Sequence, residues 1–162
     1  MKASHMLPVE IRAAVITVST SRTLETDDSG KTIKTMLAGA GIEVAWYTIV
    51  TDEITAIQES LRSALERANC IIFCGGTGLT SDDCTIEAVY PFIQKRIDGF
   101  GEIFRYLSFQ EIGTAAILSR ARAGIIDQKV VFCVPGSSAA ARLAMRSLIL
   151  PEIGHILSHA RR

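Results

Sequence analysis

Two aspartates beside glycine-rich and hydroxyl-rich segments are the residues of this sequence best suited to chemistry on phosphate groups. Asp83 follows the turn Gly75-Gly76-Thr77-Gly78, and Asp52 follows another short apolar run. Backbone N–H groups of glycines can approach a ligand closely, and those at a helix start bind anions. Carboxylates beside a phosphate would repel it unless a divalent cation lay between them. The pattern therefore indicates phosphoryl or nucleotidyl transfer, with Mg²⁺ held by Asp52 and Asp83.

A second turn, Pro135-Gly136-Ser137-Ser138, also follows an apolar run and precedes a helical pattern. The N–H groups and dipole at the start of that helix favour an anion. No lysine follows the glycines as in a Walker A loop, and no serine–histidine or cysteine–histidine arrangement suited to acyl transfer is present. A phosphate site is therefore favoured over an acyl-transfer site.

The same residues have structural interpretations that the sequence leaves open. Glycine turns also let a helix fold back tightly on a sheet, and the Gly75–Gly78 turn alone favours neither interpretation. Asp52 and Asp83 can each cap a following helix, and Asp52 considered alone is better explained as such a cap. Ser137 or Ser138 can cap the last long helix in the same way.

Four apolar segments predict the buried strands that position these turns. The predicted strands are Ile11–Ser19, Glu43–Val50, Cys70–Cys74 and Val130–Val134. They alternate with helical patterns, which predicts an α/β fold whose mainly parallel sheet is covered on both faces. In such a sheet the carboxyl ends of the strands share one edge, where ligands bind.

The remaining helical patterns are less regular. Ser29 is predicted to cap a helix with Gly30 in its first turn. A short helix is predicted around Phe104, and a second one over Ile112–Ala123. An apolar segment there is a candidate subunit interface; its residues are Phe100, Phe104, Tyr106, Leu107 and Phe109.

Composition limits the classes of function. The 162 residues include 17 Lys and Arg and 17 Asp and Glu, so no net charge attracts nucleic acid. No apolar run is long enough for a transmembrane helix and no signal peptide is apparent, so no membrane partner and a cytoplasmic location are expected. Residues 1–6 (MKASHM) are interpreted as an expression remnant, and residues 7–162 as one domain.

The four cysteines are interpreted as reduced. Cys70, Cys74 and Cys133 fall in predicted strands, where cysteine packs as a small apolar residue. Cys84 lies in the polar loop, but no histidine near it marks it as a nucleophile.

His155 and His159 have the i, i+4 spacing of metal ligands. Ile156 occupies the position where the helix of a zinc peptidase has its glutamate. We therefore interpret the two histidines as a solvated helix end in preference to a zinc site.

Motifs in matching order, from about residue 10 to the C-terminus, resemble those of the molybdopterin adenylyltransferases, the MogA/MoaB family of molybdenum cofactor biosynthesis. The most specific is Gly75-Gly76-Thr77-Gly78-x4-Asp83-x-Thr85-x-Glu87-Ala88. Asp27-Asp28-Ser29-Gly30 resembles the family's first helix start, and Pro135-Gly136-Ser137 its last turn. The middle of the chain, including Ile112-Gly113-Thr114, is most similar to the MoaB branch.

This resemblance implies a three-layer αβα domain that adenylylates molybdopterin, with Mg²⁺ as cofactor and ATP as the donor of the adenylyl group. The phosphate of molybdopterin attacks the α-phosphate of ATP, and pyrophosphate leaves. The resemblance implies that Asp52 and Asp83 hold Mg²⁺ and organise the transition state, and that the protein is a homo-oligomer, a trimer or a hexamer. The other residues it implies near the ligands are Ser19, Ser29, Gly30, Gly75, Gly76, Thr77, Gly78, Pro135, Gly136 and Ser137.

Departures from the family pattern concern loop shape. Thr51, Ile86 and Ser138 stand where proline is common, and Asp28 where threonine is usual, so no catalytic group is lost. Two other functions stay open: a non-catalytic molybdopterin-binding or scaffold protein of the same fold, and a molybdate-inserting enzyme. The second normally has several domains, which argues against it here.

Overall fold

The computed structural model describes residues 8–162, so the predicted expression remnant lies outside the described residues. Its centre is a six-stranded sheet with the strand order β2-β1-β3-β6-β5-β4. The strands are β1 (Arg12–Val18), β2 (Glu43–Val50), β3 (Cys70–Cys74), β4 (Lys95–Arg96), β5 (Arg122–Ile126) and β6 (Lys129–Val134).

Four of these strands confirm the sequence prediction. β2, β1, β3 and β6 are neighbours and run parallel. Their registers pair Thr17 with Cys74 and Cys74 with Val134, so the carboxyl ends of the three central strands lie level. The turns that follow them therefore meet at one edge of the sheet, as expected for a parallel α/β sheet.

Helices cover both faces of the sheet, which confirms the three-layer α/β architecture. The first, fourth, fifth and sixth helices contribute to one apolar core against the sheet, and the second and third helices contribute to the other. None of the helices in residues 8–162 has the length and apolar character needed to cross a bilayer. The helices are α1 (Asp28–Gly39), α2 (Ile54–Arg67), α3 (Thr85–Val89), α4 (Asp98–Ile112), α5 (Ser138–Ala144) and α6 (Leu150–Ala160).

The segment between α4 and β6 corrects the sequence prediction. The helix predicted over Ile112–Ala123 is wrong: a 3₁₀ helix, Gly113–Leu118, is followed by strand β5. β5 pairs antiparallel with β6 through a tight turn, in which Asp127 and Gln128 have φ of 48° and 64°. Asn-Gly and Asp-Gly are the usual signals for such a turn, so the sequence gives little sign of this one.

Two local predictions also change. The N-cap of α1 is Asp27, whose carboxylate accepts from Gly30 N, and Ser29 lies inside the helix. Phe100 and Phe104 are 7% and 1% exposed, so they belong to the core and cannot form a subunit interface. Tyr106 and Phe109 of the same segment are 62% and 51% exposed, as an interface requires.

Candidate functional site

A cavity of about 520 Å³ opens at the carboxyl ends of the parallel strands. The turns after β1, β2, β3 and β6 all contribute to its wall, together with the loop after the 3₁₀ helix. Its lining residues are Val18, Ser19, Ser21, Arg22, Asp52, Gly75, Gly76, Thr77, Gly78, Asp83, Leu118, Ser119, Pro135 and Gly136.

Most residues selected from the sequence line this one cavity. Asp52 and Asp83, which are distant in sequence, share it with Ser19, the glycine-rich turn and the Pro135-Gly136 pair. Three selected residues do not line it: Ser29 and Gly30 are buried behind the wall, and Ser137 lies at the start of α5. The cavity therefore collects the predicted carboxylates and glycines, while the roles of these residues stay predictions.

The glycine-rich turn requires glycine for steric reasons at two positions. Gly75 and Gly76 have φ of 109° and 68°, values that side-chain-bearing residues rarely adopt. A Cβ on Gly76 would lie 2.2 Å from Thr85 Oγ1, and one on Gly75 would lie 2.5 Å from Val18 O. Thr85 is fully buried and its hydroxyl donates to Gly75 O at 2.8 Å, so the turn is packed directly against α3.

Arg120 fastens the outer part of this turn. Its Nε donates to Gly78 O at 2.9 Å, its Nη2 to Asp83 O at 3.2 Å, and its backbone N–H to Thr77 O at 3.0 Å. Glu87 accepts from the same guanidinium, and this hydrogen bond lowers the pKa of the Glu87 carboxyl. Glu87 occurs in the family motif of the glycine-rich turn, but neither Glu87 nor Arg120 was predicted to hold the turn.

Asp52 and Asp83 are held in the same way by different loops. Oδ2 of Asp52 accepts from the backbone N–H and hydroxyl of Thr20, at 2.9 and 2.8 Å. Oδ2 of Asp83 accepts from the same two groups of Thr80, at 3.0 and 2.8 Å. The described hydrogen bonds of both carboxylates use Oδ2, which leaves Oδ1 of each as the oxygen suited to a cation.

This geometry decides the capping alternatives. The N-caps of α2 and α3 are Glu53 and Cys84, and neither makes a side-chain capping bond, so neither Asp52 nor Asp83 is a helix cap. Ser137 does cap α5, because its hydroxyl accepts from Ala140 N at 3.1 Å. The structural interpretation is therefore confirmed for Ser137 and wrong for the two aspartates.

A third aspartate, Asp27, is fully buried beside the cavity. Its Oδ2 accepts from the hydroxyls of Thr17, at 2.6 Å, and Tyr47, and its Oδ1 accepts from Gly30 N at 3.1 Å and from Ser29 Oγ at 3.3 Å. Burial alone would raise the pKa of Asp27, but these hydrogen bonds outweigh it and the pKa lies below its ordinary value. Asp27 is therefore a charged structural group.

This buried network orients Arg22, the cationic side chain of the cavity wall. Arg22 Nη1 donates to Ser29 Oγ at 2.6 Å and to Gly136 O at 2.9 Å, and it lies 3.7 Å from Asp27 Oδ1. It therefore ties the start of α1 to the turn after β6. Arg22 was not selected from the sequence, and its place directly after β1, at the same sheet edge as the other turns, was the available signal.

Cys84, the residue after Asp83, lies among several carboxylates. Burial raises the pKa of the Cys84 thiol, and the carboxylates of Asp52, Glu87, Asp83 and Asp82 raise it further. The thiol is thus kept protonated, which agrees with its assignment as a non-nucleophile.

In residues 8–162 no cluster of three or more acidic, histidine or cysteine side chains could by itself hold a metal ion. A Mg²⁺ ion here would thus need substrate phosphates or water to complete two carboxylates, the usual arrangement for Mg²⁺.

Known proteins resemble the chain over nearly its whole length. A protein-family model described as "Probable molybdopterin binding domain" matches residues 14–155. "Molybdenum cofactor biosynthesis protein B" of Bacillus subtilis (strain 168) is 48% identical over 158 residues, which cover 96% of this chain and 93% of the relative.

Solved structures agree with this similarity. A crystal structure of "Molybdenum cofactor biosynthesis protein B" is 47% identical and superposes with a TM-score of 0.91, covering 96% of this chain and 99% of the other. The "tungsten cofactor synthesizing protein MoaB" of Pyrococcus furiosus is 37% identical, with a TM-score of 0.88 and coverage of 96% and 100%. The chain therefore belongs to the molybdopterin-binding domain family of molybdenum cofactor biosynthesis proteins.

Proposed function

We propose that this protein transfers the adenylyl group of ATP to the phosphate of molybdopterin, giving adenylyl-molybdopterin and pyrophosphate. The observation that carries the proposal is the cavity shared by Asp52, Asp83 and the glycine-rich turn. Nucleotidyl transfer requires mainly positioning and charge neutralisation. Two carboxylates, glycine N–H groups and a fixed arginine in one cavity match that requirement.

The reaction assigns a role to each part of the wall. An oxygen of the molybdopterin phosphate forms a bond to the α-phosphorus of ATP, and the bond from that phosphorus to the oxygen bridging to the β-phosphate breaks. When bound, Mg²⁺ would neutralise charge on the triphosphate. Asp52 and Asp83 fit this ion because Thr20 and Thr80 hold Oδ2 of each carboxylate and leave Oδ1 available. The Gly75–Gly78 turn would accommodate nucleotide phosphates, and Pro135 and Gly136 would line the pterin side.

Product formation from ATP, Mg²⁺ and molybdopterin tests the proposal. We expect the wild type to release pyrophosphate and form adenylyl-molybdopterin, and Asp52→Asn and Asp83→Asn to lose at least about 10²-fold in rate while remaining folded. Asp82→Asn is the matched control, because Asp82 is an exposed neighbour that does not line the cavity. Unchanged rates in the first two variants would contradict the assigned roles.

The alternative function, molybdopterin binding without turnover, makes a different prediction in the same experiment. Molybdopterin would bind, but no pyrophosphate would be released at any ATP concentration. A molybdate-inserting activity would instead consume adenylyl-molybdopterin in the presence of molybdate. Measuring ligand binding, pyrophosphate release and, with added molybdate, the loss of adenylyl-molybdopterin on one preparation separates the three functions.

We further propose that the protein acts as a homo-oligomer, a trimer or a hexamer. Support comes from an exposed apolar surface on α4 and the following 3₁₀ helix, and one of its residues, Leu118, also lines the cavity. Its members are Ile103, Tyr106, Phe109, Ile112, Ile117 and Leu118. Light scattering should give a multiple of the chain mass for the wild type and a smaller mass for Phe109→Glu. Leu24→Glu is the control, since Leu24 is 61% exposed outside this surface; a monomeric wild type would contradict the proposal.

A further inference from the structure

Two histidines at the end of α6 face each other outside the candidate site. The Nε2 atoms of His155 and His159 are 3.1 Å apart, and Nδ1 of His155 lies 3.0 Å from Oε2 of Glu152. Both rings line a separate cavity of about 690 Å³, next to Lys95 and Arg96 of strand β4. The side chain of His155 is 29% exposed, so it is more enclosed than a freely solvated helix end.

The relative orientation of the rings distinguishes two arrangements. Rings whose nitrogens pointed straight at each other across 3.1 Å would have centroids about 5.4 Å apart. If both nitrogens instead pointed at one ion at a distance of about 2.0–2.1 Å, the centroids would be about 4.8 Å apart. The observed centroid separation is 4.7 Å and the ring planes are 77° apart, so the two nitrogens do not point straight at each other, and the separation is compatible with two ligands of one ion.

Glu152 selects the tautomer that such an ion needs. Because the carboxylate accepts from Nδ1–H of His155, Nε2 of that ring carries a lone pair. A carboxylate on the outer nitrogen is the usual partner of a metal-bound histidine, since it fixes the ring and raises its basicity. Without an ion, Nε2–H of His159 satisfies this lone pair; with an ion, His159 carries its proton on Nδ1.

We propose that His155 and His159 bind one divalent first-row transition metal ion of the Zn²⁺ type. Two imidazoles suit Zn²⁺, Ni²⁺ or Cu²⁺ and not Mg²⁺, which requires oxygen ligands. The remaining coordination positions are filled by water, as in other zinc sites with fewer than four protein ligands. Lys95, Arg96 and Arg162 add positive charge to the same cavity, which makes the site weaker than a closed structural zinc site.

A calorimetric titration of the full chain with ZnCl₂ at neutral pH tests this site. We expect one Zn²⁺ ion per chain, with binding at least about tenfold weaker in His155→Ala and in His159→Ala, and about tenfold weaker in Glu152→Gln. His5→Ala is the matched control for the third histidine, which lies outside the described residues, and it should bind like the wild type. Excess Mg²⁺ should not compete.

A second control tests whether the Zn²⁺ ion binds instead at the candidate functional site. Asp52→Asn combined with Asp83→Asn should leave this Zn²⁺ binding unchanged, whereas a loss in that variant would assign the ion to the carboxylates and overturn the proposal. Unchanged binding in either histidine-to-alanine variant would also overturn it, as would wild-type affinity weaker than millimolar. If an alanine variant fails to fold, His155→Asn and His159→Gln take its place, with the same expected loss.

Discussion

Asp27 and Asp83 lie within the same edge of the fold, yet their surroundings differ in one decisive respect. Asp27 is 0% exposed, and both of its carboxylate oxygens accept hydrogen bonds. Asp83 borders the cavity, and its described hydrogen bonds all use Oδ2. Asp52 repeats the arrangement of Asp83 with Thr20 in place of Thr80.

The difference teaches how the fold separates structural carboxylates from chemical ones. A carboxylate whose lone pairs are all occupied stabilises the folded state and has none left for a ligand. A carboxylate fixed by one oxygen is positioned but keeps the other oxygen for a cation. Saturation by donors, more than the identity of the residue, therefore distinguishes the two kinds of aspartate.

Replacing the Asp27 carboxylate with an amide should reduce stability, whereas replacing that of Asp83 should leave stability almost unchanged. This contrast is the largest expected effect. Asp27→Asn replaces one acceptor oxygen with an NH₂ donor that faces buried donors, and it should lower the free energy of unfolding by about 2–4 kcal/mol, at about 1–3 kcal/mol per buried unsatisfied group. Asp83→Asn should change it by no more than about 0.5 kcal/mol. Urea unfolding followed by circular dichroism measures both, and equal losses in the two variants would remove the distinction.

The same contrast predicts a pH dependence. The pKa of Asp27 lies below its ordinary value of 3.8 in the folded state, so its ionised form stabilises the fold at higher pH. This contribution is fully present above the unfolded pKa and is lost as the pH falls through the lower, folded pKa. Between pH 3.8 and more acidic values, the wild type should therefore lose more stability than Asp27→Asn.

The loss of stability below pH 3.8 is the acid limb of the curve of unfolding free energy against pH. Its matched control is Glu87→Gln. The pKa of Glu87 is also lowered, by its hydrogen bond with Arg120, but that side chain is exposed. Its removal should flatten the acid limb less than the removal of Asp27, because solvent weakens exposed ion pairs. Parallel acid limbs for Asp27→Asn and the wild type would contradict the proposed buried charge.

Arg22 lies beside the buried Asp27 and lines the cavity that Asp52 and Asp83 also line, and its replacement should have a smaller effect. Arg22→Lys keeps the charge, but its shorter side chain does not bring one nitrogen within reach of both Ser29 Oγ and Gly136 O, which Nη1 of Arg22 joins. For the proposed adenylyl transfer we expect kcat/KM to fall about tenfold, the equivalent of one charge-assisted hydrogen bond of about 1.4 kcal/mol. Arg12→Lys is the control, as Arg12 pairs with Glu43 far from the cavity lining. A fall in unfolding free energy with unchanged kcat/KM would make Arg22 purely structural.

The four parallel strands could be predicted from the sequence because a strand that is buried on both faces is a continuous run of apolar residues. Five consecutive apolar residues, Cys70–Cys74, can form little other than a central strand. The antiparallel edge of the sheet has no comparable sequence signal. β4 is only two residues long, and the turn before β6 uses Asp127 and Gln128 at positive φ, where glycine or asparagine would have signalled a hairpin.

The site was predictable where its residues lie next to strand ends, and not where distant residues hold them. The glycine-rich turn starts, and Asp52 lies, within two residues of an apolar run, and Asp83 ends the glycine-rich loop, so their common edge followed from topology. Arg22 bonds to Gly136 and Arg120 to Gly78 across 114 and 42 positions, and no local pattern encodes such contacts. The burial of Asp27 as a helix cap likewise depends on a hydrogen bond from Tyr47, a residue of strand β2.

The smallest expected effect concerns the hydroxyl that fixes Asp83. Thr80→Val keeps the backbone N–H bond to Oδ2 but removes the hydroxyl donor at 2.8 Å, so the carboxylate gains rotational freedom. For the proposed reaction we expect kcat to fall about two- to fivefold, since this hydrogen bond is exposed to solvent and contributes about 0.5–1 kcal/mol. Thr32→Val is the control, because that hydroxyl donates to Asp28 O within α1 and does not line the cavity. A loss in Thr80→Val as large as in Asp83→Asn would mean that the threonine itself contacts the substrate, and an unchanged kcat would mean that fixing Oδ2 has no part in positioning Oδ1.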